Sequence, residues 1–115
     1  LHLETNLGLG ETNLDLAGLT LESLSVEHGL GEATVVLPDE GHMEATVEGA
    51  IGQTVIVIPE GLAARIRLDT GIARRQVPEE FVCDGDECTS PGYETADHRV
   101  DLKAGQAIGN LVIRH

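Results

Sequence analysis

Cys83-Asp84-Gly85-Asp86-Glu87-Cys88 concentrates more reactive side chains than any other stretch of this chain: two thiols five positions apart, with three carboxylates between them. The spacing predicts a disulfide. Four intervening residues with a central glycine can turn tightly enough to bring the two Cα atoms within bridging distance, and an exposed loop gains from the constraint. Reduced thiols are the alternative. A bridge would place the loop in an oxidising compartment outside the cytoplasm. Asp84, Asp86 and Glu87 are also hard oxygen ligands, so a weak Ca2+ site competes for the segment, at a spacing unlike that of the twelve-residue calcium loop. Zinc wants about four ligands, and the chain has neither a second cysteine pair nor a histidine pair at matching spacing. No resident metal or cofactor is expected.

Catalytic constellations do not emerge elsewhere. The twenty carboxylates are scattered along the chain. Glu27, Glu48 and Asp69 share a phase and would stack as a column of like charge, but read as corner residues in water. There is no Gly-x-Ser-x-Gly elbow, and His2, His28, His42, His98 and His115 lie at unrelated phases, which reads as exposed polar side chains. The glycines are followed by no Lys-Ser or Lys-Thr pair, so they form no phosphate loop. Catalytic residues: none.

The element that must position the cysteine loop is a repeat. Gly29-Leu30-Gly31-Glu32-Ala33-Thr34-Val35-Val36-Leu37-Pro38 returns twenty-one residues later as Ala50-Ile51-Gly52-Gln53-Thr54-Val55-Ile56-Val57-Ile58-Pro59, with weaker copies at Gly8–Leu16 and Gly71–Ala73. A fixed period, with each copy too small to close a core alone, is the signature of a stacked solenoid. Aligned copies give an apolar column of Leu9, Leu30, Ile51 and Ile72, a second of Leu14, Val35 and Ile56, and a third of Leu16, Leu37 and Ile58. Period-two alternation here, and again through Leu24, Val26, Ala45, Val47, Ile66 and Leu68, predicts two strands per copy with one buried face. Pro38-Asp39-Glu40-Gly41 and Pro59-Glu60-Gly61 mark one corner. Gly8/Gly10, Gly29/Gly31 and Gly52 mark another, where the backbone needs positive φ or a close approach to the coil above.

The fold expected is all-β: a single-stranded parallel β-helix, right-handed by the usual crossover preference, with about five coils stacked in sequence at roughly 4.8 Å. Residues 1–115 form one domain. Val77 falls in the column of Ile56, but Val100 and Leu102 match Leu24 and Val26 only after an insertion in the fourth coil, at about residues 79–95. The last coil then stops in mid-strand, leaving solenoid ends at which copies could associate as a homo-oligomer. Arg65 and Arg67 face outward in the column of Glu44 and Thr46, which reads as charge pairing between coils.

These residues resemble the β-helical "toastrack" domains found at the C-terminus of LiaF-like, cell-wall-active-antibiotic response proteins of bacteria. The likeness rests on the two ten-residue phrases above, on Asp69-Thr70-Gly71-Ile72-Ala73, and on the run from Ser90-Pro91-Gly92-Tyr93 through Val100-Asp101-Leu102 into Gly109-Asn110-Leu111-Val112-Ile113. It implies a structural, non-catalytic domain. It further implies a parent protein with membrane helices and a part in envelope-stress signalling.

Composition bounds the partners. At 115 residues and 41% apolar content the chain can hold one core, and with no Trp, one Phe and one Tyr that core must be aliphatic. A net charge of −13 disfavours nucleic acid and anionic membranes, which need clustered Lys and Arg. No stretch is apolar for long enough to span a bilayer, and a chain beginning at Leu1 is expected to be a processed piece, its anchor or signal removed. An extracytoplasmic or membrane-associated location follows. Phe81 and Tyr93, the only aromatics, both lie in the insertion with Asp84, Asp86 and Glu87, which makes it the candidate binding loop for a protein or envelope component. The rival reading of the two rings is cover for the coils. The function expected is a non-enzymatic interaction or sensing module; the alternative is a carbohydrate-binding or carbohydrate-active β-helix domain.

Overall fold

The computed structural model describes residues 2–16, 22–38, 41–59 and 62–114. Its strands are β1 (His2–Asp15), β2 (Ser23–Val36), β3 (His42–Val57), β4 (Ala63–Gln76), β5 (Val82–Asp84), β6 (Glu87–Thr89) and β7 (Arg99–Arg114), with a 3-10 turn at Tyr93–Thr95. The long strands pair in parallel within one open sheet, and β5–β6 is an antiparallel hairpin attached to β4. No helix among the described residues is long and apolar enough to cross a membrane.

Each long strand is two arms joined at a corner, and glycine makes the corner. In β2 the buried residues are Leu24, Val26 and His28 before the corner and Ala33, Val35 and Leu37 just after it, so the inward phase changes from even to odd positions. β7 repeats the switch with Val100, Leu102, Ala104 and Gln106, then Leu111 and Ile113. Simple alternation would have sent the second arm's apolar side chains into water. Between the arms sit Gly10, Gly31, Gly52 and Gly109, all with positive φ of 105° to 130°. Beyond Gly10 they also stack without room for a side chain: a Cβ on Gly31 would lie 2.2 Å from the Gly10 carbonyl oxygen, on Gly52 1.9 Å from that of Gly31, and on Gly109 1.8 Å from that of Gly52. Of the glycines expected to serve this corner, Gly31 and Gly52 meet both demands, Gly10 has the positive φ alone, and Gly8 shows neither.

The register carries His2 onto Ser23 and Ser23 onto Glu44, as the repeat requires. Val35 pairs with Ile56 as expected, and both are fully buried. The stacking order then departs from the sequence order. The sheet runs β1-β2-β3-β7-β4-β6-β5, so the last strand is inserted between the third and fourth. The glycine ladder gives the reason. The residue stacked beyond Gly52 has no space for a Cβ, and β7 supplies Gly109 there whereas β4 carries Ala73. Burial argues the same way, because β7 is apolar on both arms while the second arm of β4 ends in Arg74-Arg75-Gln76, which needs solvent.

Several expectations are corrected by that order. β7 does not end the stack; it is sandwiched, and the outer strands are β1 and, beyond β4, the hairpin. Ile56 stacks on Ile113, while Val77 packs against the core edge. Glu27 and Glu48 are cross-strand neighbours, but Gly105 separates Glu48 from Asp69, so the three-carboxylate column does not form. Arg65 neighbours Asp101, and Arg67 neighbours Lys103, in place of Glu44 and Thr46. Finally, the column of Leu30, Ile51 and Ile72 is apolar without being inside: these residues are 45%, 47% and 83% exposed.

Candidate functional site

Residues 79–95 form a built element, not a slack loop. Gly85-Asp86 is a two-residue turn with Gly85 at φ 64°, and such hairpins favour glycine at this position. A two-residue turn makes Asp84 and Glu87 the closing pair, so Cys83 and Cys88 face each other one step on, where side chains of an antiparallel ladder lie closest. The two sulfurs are bonded, as the spacing predicts, across a Cα–Cα distance of 4.0 Å.

The hairpin is riveted to the first arm of β4. Arg65, Ile66 and Arg67 pair with Thr89, Cys88 and Glu87. The Leu68 amide donates to the Asp86 carbonyl at 2.7 Å, and the Ser90 amide donates to that of Ala64 at 2.8 Å. Ser90 Oγ accepts from the Ala64 amide at 2.8 Å, so a buried side chain completes the edge. Cys88 and Phe81 lie in the core, whereas Cys83, Asp84, Asp86 and Glu87 are exposed. Tyr93 is buried as well, its hydroxyl donating to Asp101 Oδ1 and its ring covered by the Arg65 and Arg99 guanidiniums at 4.7 and 5.6 Å from the centroid. Burial pushes the phenol above its ordinary pKa, and the Asp101 contact adds to this while the arginines oppose it. Both rings therefore serve as cover, leaving the carboxylates as the outward chemistry of the hairpin.

Those carboxylates do not gather into one ligand set. Asp86 pairs with Arg75 at 2.9 Å and Glu87 with Arg65 at 3.4 Å, and no group of three or more ligand residues suited to a metal occurs among the described residues. What they line instead, with Arg67, Asp69 and Lys103, is an open mixed-charge cleft of about 460 Å3.

A second polar cluster was hidden in the sequence. His28, read as exposed, is buried, and with Thr54 and Gln106 it forms a chain at the inner side of the glycine corner. The Thr54 hydroxyl donates to Gln106 Oε1 at 2.6 Å, so its oxygen is left to accept from His28 Nε2–H at 2.5 Å. The Gln106 amide group donates to the carbonyls of Ile108, Gly52 and Ala50 at 2.8, 3.3 and 3.4 Å. Burial holds the imidazole below its ordinary pKa, which keeps it neutral. Gly49 is what makes room, since a Cβ there would meet His28, Thr54 and Gln106 within 2.7 Å. The signal was available: His28 continues the inward phase of Leu24 and Val26. Of the other histidines, His42 is exposed and half-buried His98 accepts from the Gly41 amide at 2.8 Å; His2 has no described side chain, and His115 lies outside the described residues.

Residues 1–57 match the family model for the N-terminal domain of toast_rack, DUF2154. The chain carries a toastrack-family domain. The crystal structure of a "putative cell adhesion protein" from Clostridium sporogenes superposes on this toastrack domain with a TM-score of 0.88 at 19% identity, over 98% of this chain. The toastrack chain spans 54% of that structure's length, and at this identity the likeness bears on fold alone. No curated protein matches the sequence.

Proposed function

We propose that this toastrack domain is a non-enzymatic interaction or sensing module of a bacterial envelope protein, and that the hairpin face is its recognition surface. Residues 1–115 act as one domain, a right-handed solenoid of about five coils with a 21-residue period, held extracytoplasmically or at a membrane through another part of the parent protein. Envelope-stress signalling is the process we assign to it by family resemblance. The observation that carries the reading is the disulfide-pinned hairpin, which breaks the repeat and presents Asp84, Asp86 and Glu87 beside Arg67 and Lys103. A rigid rim of both charge signs suits a polar protein surface or an envelope component, and side chains the fold does not require are the ones free to recognise.

The carbohydrate reading is disfavoured by Tyr93, which is buried with the Arg65 and Arg99 guanidiniums over its ring and so offers a sugar no open stacking face. The test uses envelope extract and a panel of envelope polysaccharides, with the intact domain compared against Asp84→Arg and Lys103→Glu. Retained melting with loss of captured partner in both variants is the expected result. Depolymerisation of any polysaccharide by the intact domain would end the non-enzymatic reading, and capture indifferent to both reversals would remove the hairpin from it.

A further inference from the structure

The exposed aliphatic column is the least explained feature of the surface. Across β1, β2, β3, β7 and β4 the register aligns Leu9, Leu30, Ile51, Ile108 and Ile72. Leu30, Ile51 and Ile108 are 45–47% exposed and Ile72 is 83% exposed. The four rows from Leu30 to Ile72, at the strand spacing, make a stripe about 14 Å long on the outside of the corner. The residues just before it are Gly8, Gly29, Ala50, Ala107 and Gly71, too small to hold a partner away. Contiguous apolar surface of this kind on an otherwise charged domain calls for a cover.

The other flank says what covers it. Two positions past the stripe the register aligns Glu11, Glu32, Gln53, Asn110 and Arg74. That ladder runs from two acids through two amides to a cation. It reflects a wider asymmetry, since all seven Lys and Arg of the chain lie from Arg65 onward. A two-fold axis crossing the stripe at Ile51 and Gln53 lays aliphatic row on aliphatic row, sets Glu11 of one copy against Arg74 of the other, and places Gln53 against its own symmetry mate. A two-fold along the stripe would set the charged flank over the small-residue flank and pair no charges. End-on stacking is obstructed at one end, where the hairpin covers the first arm of β4.

We infer that the corner stripe is a self-complementary surface that binds a second copy of this chain in antiparallel orientation. The contact is isologous, so it closes at the dimer. A stripe this narrow falls well short of the roughly 800 Å2 per partner of a stable interface, so the association is weak and becomes effective when copies are held side by side. The inference is independent of the hairpin reading, which concerns a different face.

Sedimentation velocity across a concentration series up to the millimolar range, together with oxidative crosslinking, tests it. The intact domain should shift from monomer to dimer as concentration rises. Gln53→Cys should form a disulfide-linked dimer at least tenfold faster than Asp97→Cys, an exposed control away from the stripe. Ile51→Asp should abolish the dimer with melting unchanged. Glu11→Arg and Arg74→Glu should each lower the dimer fraction severalfold, and the double reversal should restore it. A protein that stays monomeric throughout, with no preferential crosslinking at position 53, overturns the proposal. So does a dimer that survives Ile51→Asp, or reversals that fail to compensate each other.

Discussion

The β3–β7 seam and the outer edge of β4 answer the same repeat in opposite ways. Along the seam all columns continue: Ala45 on Leu102, Val47 on Ala104, Gly52 on Gly109, Ile56 on Ile113. At the outer edge of β4 the first arm is covered by three hairpin residues while the second has no outer partner among the described residues. The difference lies in a few side chains. Gly109 admits a neighbouring carbonyl and Leu111 faces the core, whereas β4 puts Ala73 and Arg75 in those rows. A repeat thus propagates only while its glycine and its inward side chains both persist.

Breaking an inward column should do the most damage. Ile56 is fully buried against Val35 and Ile113, so Ile56→Asp leaves a charge with no partner and should cost on the order of 4 kcal/mol. Val57, next along but only half-buried, should tolerate the same change far better. Equal losses of melting temperature in the two variants would contradict the arm assignment.

The glycine corner comes next. Gly52→Ala combines φ 130° with a Cβ 1.9 Å from a backbone oxygen, and relief requires β2 and β3 to part, at about 3 kcal/mol. Gly10 has positive φ but open space, so Gly10→Ala should cost about 1 kcal/mol. Gly8 has neither constraint, and Gly8→Ala should fall within about 0.5 kcal/mol. A denaturant series that fails to rank the three in this order would show that stacking is not what the ladder glycines serve.

Much of this was legible beforehand, and the limits have physical causes. Identical columns announce themselves, so the arms, the corners and the register of β1, β2 and β3 could be read from spacing alone. The position of β7 could not be read from the first arms, because Leu102 and Ile66 are equally good inward residues; the second arms discriminate, through glycine at 109 against alanine at 73 and Leu111 against Arg75. The cysteine pair was readable because its geometry is local. The fate of Phe81 and Tyr93 was not, since burial there depends on Arg65, Ile66 and Arg99 arriving from other strands. The stripe of Leu30, Ile51 and Ile108 misleads for a related reason: a convex corner exposes what a straight strand would bury.

At the β4 edge the comparison predicts a smaller and more local effect. Replacing the bridge by Cys83→Ala with Cys88→Ala should cost about 2 kcal/mol. The loss should appear at the hairpin and in the Leu68 amide that donates to Asp86, while amides of β2 and β3 keep their hydrogen-exchange protection. Uniform loss across all strands would mean the hairpin is part of the central cooperative unit.

The smallest effect belongs to the inner corner, where His28 lies on the seam side of the molecule, two strands from β7 and linked to it through Thr54 and Gln106. Its pKa is lowered by burial from the ordinary 6.5, so the unfolded chain takes up this proton first as pH falls. The contribution is therefore fully present above pH 6.5 and declines as pH drops below it towards the folded-state value. Thr54, Gln106 and the backbone around Gly49 crowd the ring and carry no charge, so no neighbouring ionisation in the cluster masks the trend. His28→Gln keeps an N–H for Thr54 without the titration. Subtracting its stability profile from that of the intact domain between pH 7.5 and 5 should leave a difference that rises with pH and levels off above 6.5, and a flat difference would place the imidazole in contact with solvent rather than in the chain of hydrogen bonds at the corner.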